Sequence, residues 1–400
     1  MIKPASLYIH IPFCISKCAY CDFFSRASKV SPDYIIALCN EIAFRIKKYK
    51  VLELDTIYVG GGTPSLLSKS QFKEIFSHIN SIVKLNENAE ITVEVNPDDI
   101  TKDLLDTLAE CGVNRISCGI QSMNDKALKR ACRRADAGVN HRALELLKEY
   151  WNGAVSVDLI SGLPEDDGNT LMASLKAVNE INPSHVSLYS LTIEEETPFG
   201  KQLASGVLDY DFDKADKLWL CGRDYLEELG YKWYEVSNFC KSGNECRHNL
   251  AYWKHKGYLG CGSGGTGTVY FDDGSGFRWT NTQKIEEYIY FWKNFCINDF
   301  LTDLNMPDLQ KYQLEEKIDI QTSEFEFFMM SLRKVSGFYE SEYKQIFGKK
   351  LPQKFLSLFN EWQKKNLCEM RSDTGDKKDI QYSMTREGML FLNRFLEELC

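Results

Sequence analysis

Three cysteines stand within eight residues of one another: Cys14-Ile-Ser-Lys-Cys18-Ala-Tyr-Cys21. Thiolates are soft ligands suited to iron–sulfur clusters. Three of them so close can wrap one corner of a [4Fe–4S] cubane and leave one iron without a protein ligand. That open iron can chelate the amino and carboxylate groups of a methionine. Structural zinc is the competing reading, but tetrahedral zinc takes four ligands, usually as two spaced pairs. No second pair is present here, and His10 has the wrong spacing. The chain has 14 cysteines. Most of the others, Cys39 and Cys118 among them, sit in apolar stretches and read as buried reduced thiols.

Elements must position these groups. Six short β-branched or aromatic segments begin at Ser6, Asp55, Glu90, Arg115, Val155 and His185. Amphipathic stretches of helical length separate them, such as those from Pro32 and from Asn169. Strands alternating with helices argue for an α/β fold with a parallel sheet and crossover helices. Six units are too few for the eight-unit barrel, so the expected architecture is a partial, open-sided (βα)6 barrel. Ligands of such folds bind at the carboxyl ends of the strands. Cys14 to Cys21, Gly60 to Thr63, Glu94, Gln121 and Asp158 all fall at or just past expected strand ends.

Further along, residues 236–297 are rich in glycine, tyrosine and tryptophan, with short strand-like pieces. We expect a core over 1–235, this extension, a polar linker over 298–322 and a C-terminal module over 323–400. The module reads as three helices, a hairpin (CEMRS and IQYSMT, with DTGDKKD as its turn) and a last helix capped by Thr385. That order is winged-helix-like.

Composition narrows the class. The chain has 400 residues, 44% of them hydrophobic, with a formal net charge of −9. A general nucleic-acid binder needs a basic footprint, so nucleic acid is an unexpected partner. No apolar run reaches the roughly 18 residues of a membrane helix. The first residues read as a strand and not as a signal peptide, which predicts a cytoplasmic protein.

The CxxxCxxC spacing with Tyr20 before the third cysteine resembles the radical SAM superfamily. The run Tyr8-Ile9-His10-Ile11-Pro12-Phe13-Cys14 resembles its coproporphyrinogen-oxidase-like branch. That branch holds the oxygen-independent coproporphyrinogen III dehydrogenases and a group of heme chaperones, and the likeness spans essentially the whole chain. It implies that the open iron binds S-adenosylmethionine, whose sulfonium one electron from the cluster can split. It also implies an electron donor to the cluster. By resemblance, Gly61, Gly62 and Thr63 of Gly-Gly-Gly-Thr-Pro pair with the methionine amino group. Glu94 is a further carboxylate ligand. Arg133 pairs with the methionine carboxylate, and Asp158 accepts from the ribose. Gln121 and Tyr8 match other binding positions, and Tyr20 packs on the adenine or the cluster. None of these residues is assigned a catalytic role.

Three features separate the groups within the branch. The dehydrogenases carry a fourth cysteine two residues after the third and a longer N-terminal arm. This chain has Phe23 there, as the heme chaperones do, and 13 residues before Cys14. His248-Asn249-Leu250-Ala251-Tyr252-Trp253 matches the HNxxYW motif that in the chaperones is associated with heme. Neutral imidazole is a good axial ligand, and Tyr252 and Trp253 offer flat apolar faces. The expected function is therefore a radical SAM heme chaperone delivering heme to an acceptor protein. The alternatives are the dehydrogenase or another radical SAM enzyme acting on a tetrapyrrole. Cys246 is a second possible thiolate ligand, with Cys261 next to test. The chaperones usually show Gly-Ala-His after the motif, whereas residues 260–267 here contain no histidine.

Overall fold

A computed structural model describes residues 4–295, 309–372 and 379–400. All six expected strands form. In chain order the strands of the first half are β1 Ser6–Ile11, β2 Phe13–Cys14, β3 Arg26–Ala27, β4 Glu53–Gly61, β5 Lys84–Val95, β6 Arg115–Gln121, β7 Ala154–Ser161 and β8 His185–Ser190. Then come β9 Lys232–Glu235, β10 Asn238–Cys240 and β11 Leu259–Cys261. One nine-stranded sheet runs in the order β11-β1-β4-β5-β6-β7-β8-β10-β9. It is parallel from β11 to β8 and closes antiparallel with β10 and β9.

The two faces of this sheet differ in kind. Strand side chains alternate with period two. Leu7, Ile9, Ile57, Val59, Ile91, Val93, Ile116, Val157 and Leu188 are buried in the main core. Helices such as Pro32–Lys48 contribute to that core; Ser31 caps this helix by accepting from the Tyr34 amide at 3.2 Å, and Pro32 opens it. The other face is polar: Tyr8, Tyr58, Glu90, Glu94, Arg115, Ser117, Asp158 and His185. Sheets covered on both sides are normally apolar on both. A polar face inside one is where a site belongs.

Two expectations about boundaries change. Residue 235 was read as the end of the core, yet β9 and β10 pair across it, and β11 of the extension lies parallel to β1. Gly262, just past β11, permits the close approach to β1, since a Cβ there would fall 2.2 Å from the His10 carbonyl. The interval 298–322 was read as a linker. Its residues 298–308 lie outside those described, but β14 Gln313–Ile318 pairs with β13 Gly276–Asn281, which pairs with β12 Thr266–Tyr270. β14 looked like a linker because it is an edge strand, with Leu314 left 74% exposed. The next helix, Ile320–Ser331, starts earlier than expected because Asp319 caps it.

At the C-terminal end, helices Ile320–Ser331, Glu340–Phe347 and Gln353–Lys364 surround a small antiparallel sheet. Its strands are β15 Phe338–Tyr339, β16 Cys368–Ser372 and β17 Ile380–Met384, in the order β15-β17-β16. The expected hairpin is thus present, while most of its turn lies outside the described residues. Stacked Phe328 and Phe355, with centroids 4.4 Å apart, mark the centre of this core. Thr385 does accept from the Gly388 amide, but residues Gly388–Phe391 form a 3₁₀ turn and the α-helix begins at Leu392.

Candidate functional site

Cys14 ends β2, and the loop that follows carries Cys18 and Cys21. Backbone bonds pin it on both sides: the Ala19 amide donates to Ala131 and the Phe199 amide to Ala19, each at 2.9 Å. A cavity of about 530 Å³ opens beside it, at the carboxyl ends of the parallel strands. Cys14, Cys18, Tyr20, Cys21, Gly61, Gly62, Thr63, Glu94, Gln121, Arg133 and Asp158 all line it. Residues spread over 145 positions of sequence meet in one place because β4 to β7 lie side by side.

The donor set fits an iron–sulfur cluster. The Thr63 hydroxyl lies 3.4 Å from Cys14 Sγ, and the Arg133 guanidinium donates to Cys18 Sγ at 3.7 Å. Hydrogen bonds to the sulfurs are a normal feature of such centres. Burial pushes the Cys21 thiol up to about 11, so ligation would be what holds it as thiolate. Among the described residues no group of three His, Cys, Asp or Glu side chains is placed to hold a single ion. A cubane spreads its ligands over separate corners.

Each strand end contributes to the other wall. Glu94 Oε2 accepts from the Gly61 amide at 3.1 Å and Oε1 from the Tyr58 hydroxyl at 2.8 Å. Burial, with Asp158 nearby, pushes Glu94 up to about 7 despite those two bonds. A Cβ at Gly60 would lie 2.9 Å from the Glu94 carboxyl and would push that carboxyl from its place. Asp158 accepts from Ser117 at 2.9 Å, and burial raises its pKa as well. Gln121 adopts φ +66°, an uncommon conformation outside glycine, at a bulge in β6. Arg133 donates to the Gly119 carbonyl at 2.6 Å and to Asn96 at 3.2 Å, and its Nε finds no partner among the described residues.

Four expected residues lie elsewhere. The Tyr8 hydroxyl is 2.9 Å from His10 Nδ1, and the Tyr8 ring lies along that of Tyr58. His248, Tyr252 and Trp253 belong to a short helix, Arg247–Trp253. His248 is buried, at 1% exposed. Its Nδ1 is 2.7 Å from the Thr56 hydroxyl and its Nε2 is 2.8 Å from the Tyr252 hydroxyl. Burial lowers it to about 3, so the ring is neutral, with one N–H and one lone pair, both engaged. Cys246 and Cys261 are buried too. Tyr252 and Trp253 are half-buried, and Arg333 lies over the Trp253 ring.

Sequence reasoning missed Tyr58 and Glu90. Glu90 accepts from the Arg247 and His248 amides, at 3.1 and 2.9 Å, and so caps the motif helix from the sheet. Both lie on the polar face, and the period-two alternation of β4 and β5 was the available signal.

Residues 8–178 match the model of the Radical SAM superfamily. The chain is 36% identical to "Heme chaperone HemW" of Escherichia coli over 83% of each chain. It is 31% identical to the Haemophilus influenzae protein of that name, over 99% of this chain and 98% of the other. For the Bacillus subtilis protein the identity is 32%, over 98% and 100%. Among solved structures, the coproporphyrinogen III oxidase HemN of Escherichia coli superimposes with a TM-score of 0.76 at 21% identity, covering 100% of this chain and 90% of that one. That likeness concerns the fold. With its cysteine triad at one cavity and its full-length kinship, the chain belongs to the HemW family of the radical SAM superfamily.

Proposed function

We propose that this protein is a cytoplasmic heme chaperone that holds a [4Fe–4S] cluster and S-adenosylmethionine and passes heme to an acceptor protein. The observation that carries the reading is full-length kinship with HemW chaperones together with Phe23 at the position of the dehydrogenases' fourth cysteine. Within this reading the large sheet is a partial (βα)6 barrel. The C-terminal helices with their three-stranded sheet are a winged-helix-like module. An electron donor to the cluster and a heme acceptor are the partners.

The bound cluster supplies one electron and an open iron for S-adenosylmethionine. The chain does the rest. Cys14, Cys18 and Cys21 hold three irons. Carbonyls of the Gly60–Gly62 turn and the Glu94 carboxylate receive the ligand's ammonium group. Arg133 meets its carboxylate in a charge-assisted bond, Asp158 takes the ribose hydroxyls, and Tyr20 covers the adenine. Heme contact falls to the half-buried Tyr252 and Trp253. His248 would have to break two hydrogen bonds before it could ligate iron.

The fold shared with HemN supports a second reading, the dehydrogenase, and one experiment separates them. The anaerobically reconstituted protein is titrated with heme and, separately, incubated with coproporphyrinogen III and S-adenosylmethionine under reduction. We expect saturable heme binding and no protoporphyrinogen. Turnover above the apoprotein background would replace the chaperone by the dehydrogenase.

A further inference from the structure

The HNxxYW helix meets β4 at Thr56 and β5 at Glu90, short of the strand ends at which the cavity opens. Tyr58 spans the two. Its ring lies between His248, with centroids 5.2 Å apart and planes inclined by 27°, and Tyr8, at 6.3 Å and 29°. Its hydroxyl donates to Glu94 Oε1 at 2.8 Å. The His248 ring cannot turn freely, since Thr56 and Tyr252 hold its two nitrogens. Its backbone is fixed as well, by Glu90. A ring held at both nitrogens is a rigid wall. A tyrosine resting on that wall has a defined reach.

We propose that His248 is a positioning residue for the cofactor cavity: it fixes Tyr58, which fixes the Glu94 carboxylate that meets the ligand's ammonium group. The inference rests on the reading of the cavity as an S-adenosylmethionine site. It gives the motif a second role, distinct from heme ligation. Glu94 has two anchors, the Tyr58 hydroxyl and the Gly61 amide. Losing the first lets the carboxylate rotate away from the cavity while the second remains.

The test is a double-mutant cycle on the reconstituted full chain, read as the affinity for S-adenosylhomocysteine, which the cluster cannot cleave. Iron content and thermal unfolding establish that each variant is folded and loaded. Tyr58→Phe keeps the ring and removes only the hydroxyl, and it should weaken binding about tenfold, as for a hydrogen bond to a charged group. His248→Ala should weaken it about fivefold, and by less than about twofold once Tyr58 is Phe, because the two act through one contact. Wild-type affinity in His248→Ala overturns the inference, as do losses that simply multiply in the double variant. So does a His248→Ala protein that loses its heme spectrum but keeps its affinity for S-adenosylhomocysteine. No binding by the wild-type protein would remove the cavity reading itself, and the inference with it.

Discussion

Glu94 shows how one strand-end residue sets a measurable property. Burial holds its carboxyl at about 7 against an ordinary value of 4.5. A group with a raised folded pKa binds its proton more tightly in the native state. Stability therefore falls as pH rises from about 4.5 to about 7 and levels off above. Glu235 is also raised to about 7 and Asp158 is raised, so the wild-type slope has several sources. Glu94→Gln should remove part of it, about 2 kcal/mol between pH 5 and pH 8 after allowance for solvent near the cavity. Denaturant titrations at the two pH values check this, and an unchanged slope would contradict it. At this scale the cysteine triad was legible because its ligands are local in sequence. Glu94 and Gln121 were legible as polar residues at the ends of apolar strands, and Asp158 as a lone acid inside one. Tyr58 was not, because a tyrosine inside a strand is read as core, and only the neighbouring strands reveal its hydroxyl's partner.

Helix Arg247–Trp253 is the element whose setting matters most. It has no side-chain cap of its own at Cys246. Glu90 serves instead, and Arg115, 3.9 Å away, balances its charge with both side chains at most 8% exposed. Glu90→Ala would leave two helix amides unpaired and the buried Arg115 guanidinium without its carboxylate. We expect a loss of about 3 kcal/mol in denaturant unfolding. A loss under about 0.5 kcal/mol would mean that water takes over the cap. The six main strands could be read from composition and spacing. β11 could not: Leu259–Cys261 is three residues long, glycine-containing, and becomes a strand only by lying against β1. β14 was hidden for the opposite reason, its polar residues suiting an edge as well as a linker.

The whole molecule carries a formal charge of −9, and no helix among the described residues is long and apolar enough to cross a membrane. Its C-terminal part is joined to the large sheet by backbone bonds, Val236 to Arg333 and Val335 to Tyr234. These place the Arg333 guanidinium over Trp253, at 5.8 Å from its ring. The order of helices and hairpin in that part was legible from sequence; its contact with the motif helix was not, because it joins segments some 80 residues apart. The cavity beside Cys14, Cys18 and Cys21 is the centre of the proposed function. Its most direct test is anaerobic reconstitution followed by iron and sulfide analysis and electron paramagnetic resonance of the reduced protein, with and without S-adenosylmethionine. We expect about four irons and four sulfides per chain, a paramagnetic signal that changes when S-adenosylmethionine is added, and loss of the cluster when all three cysteines are replaced by alanine. A full cluster in that triple variant, or a wild-type signal indifferent to S-adenosylmethionine, would contradict this expectation.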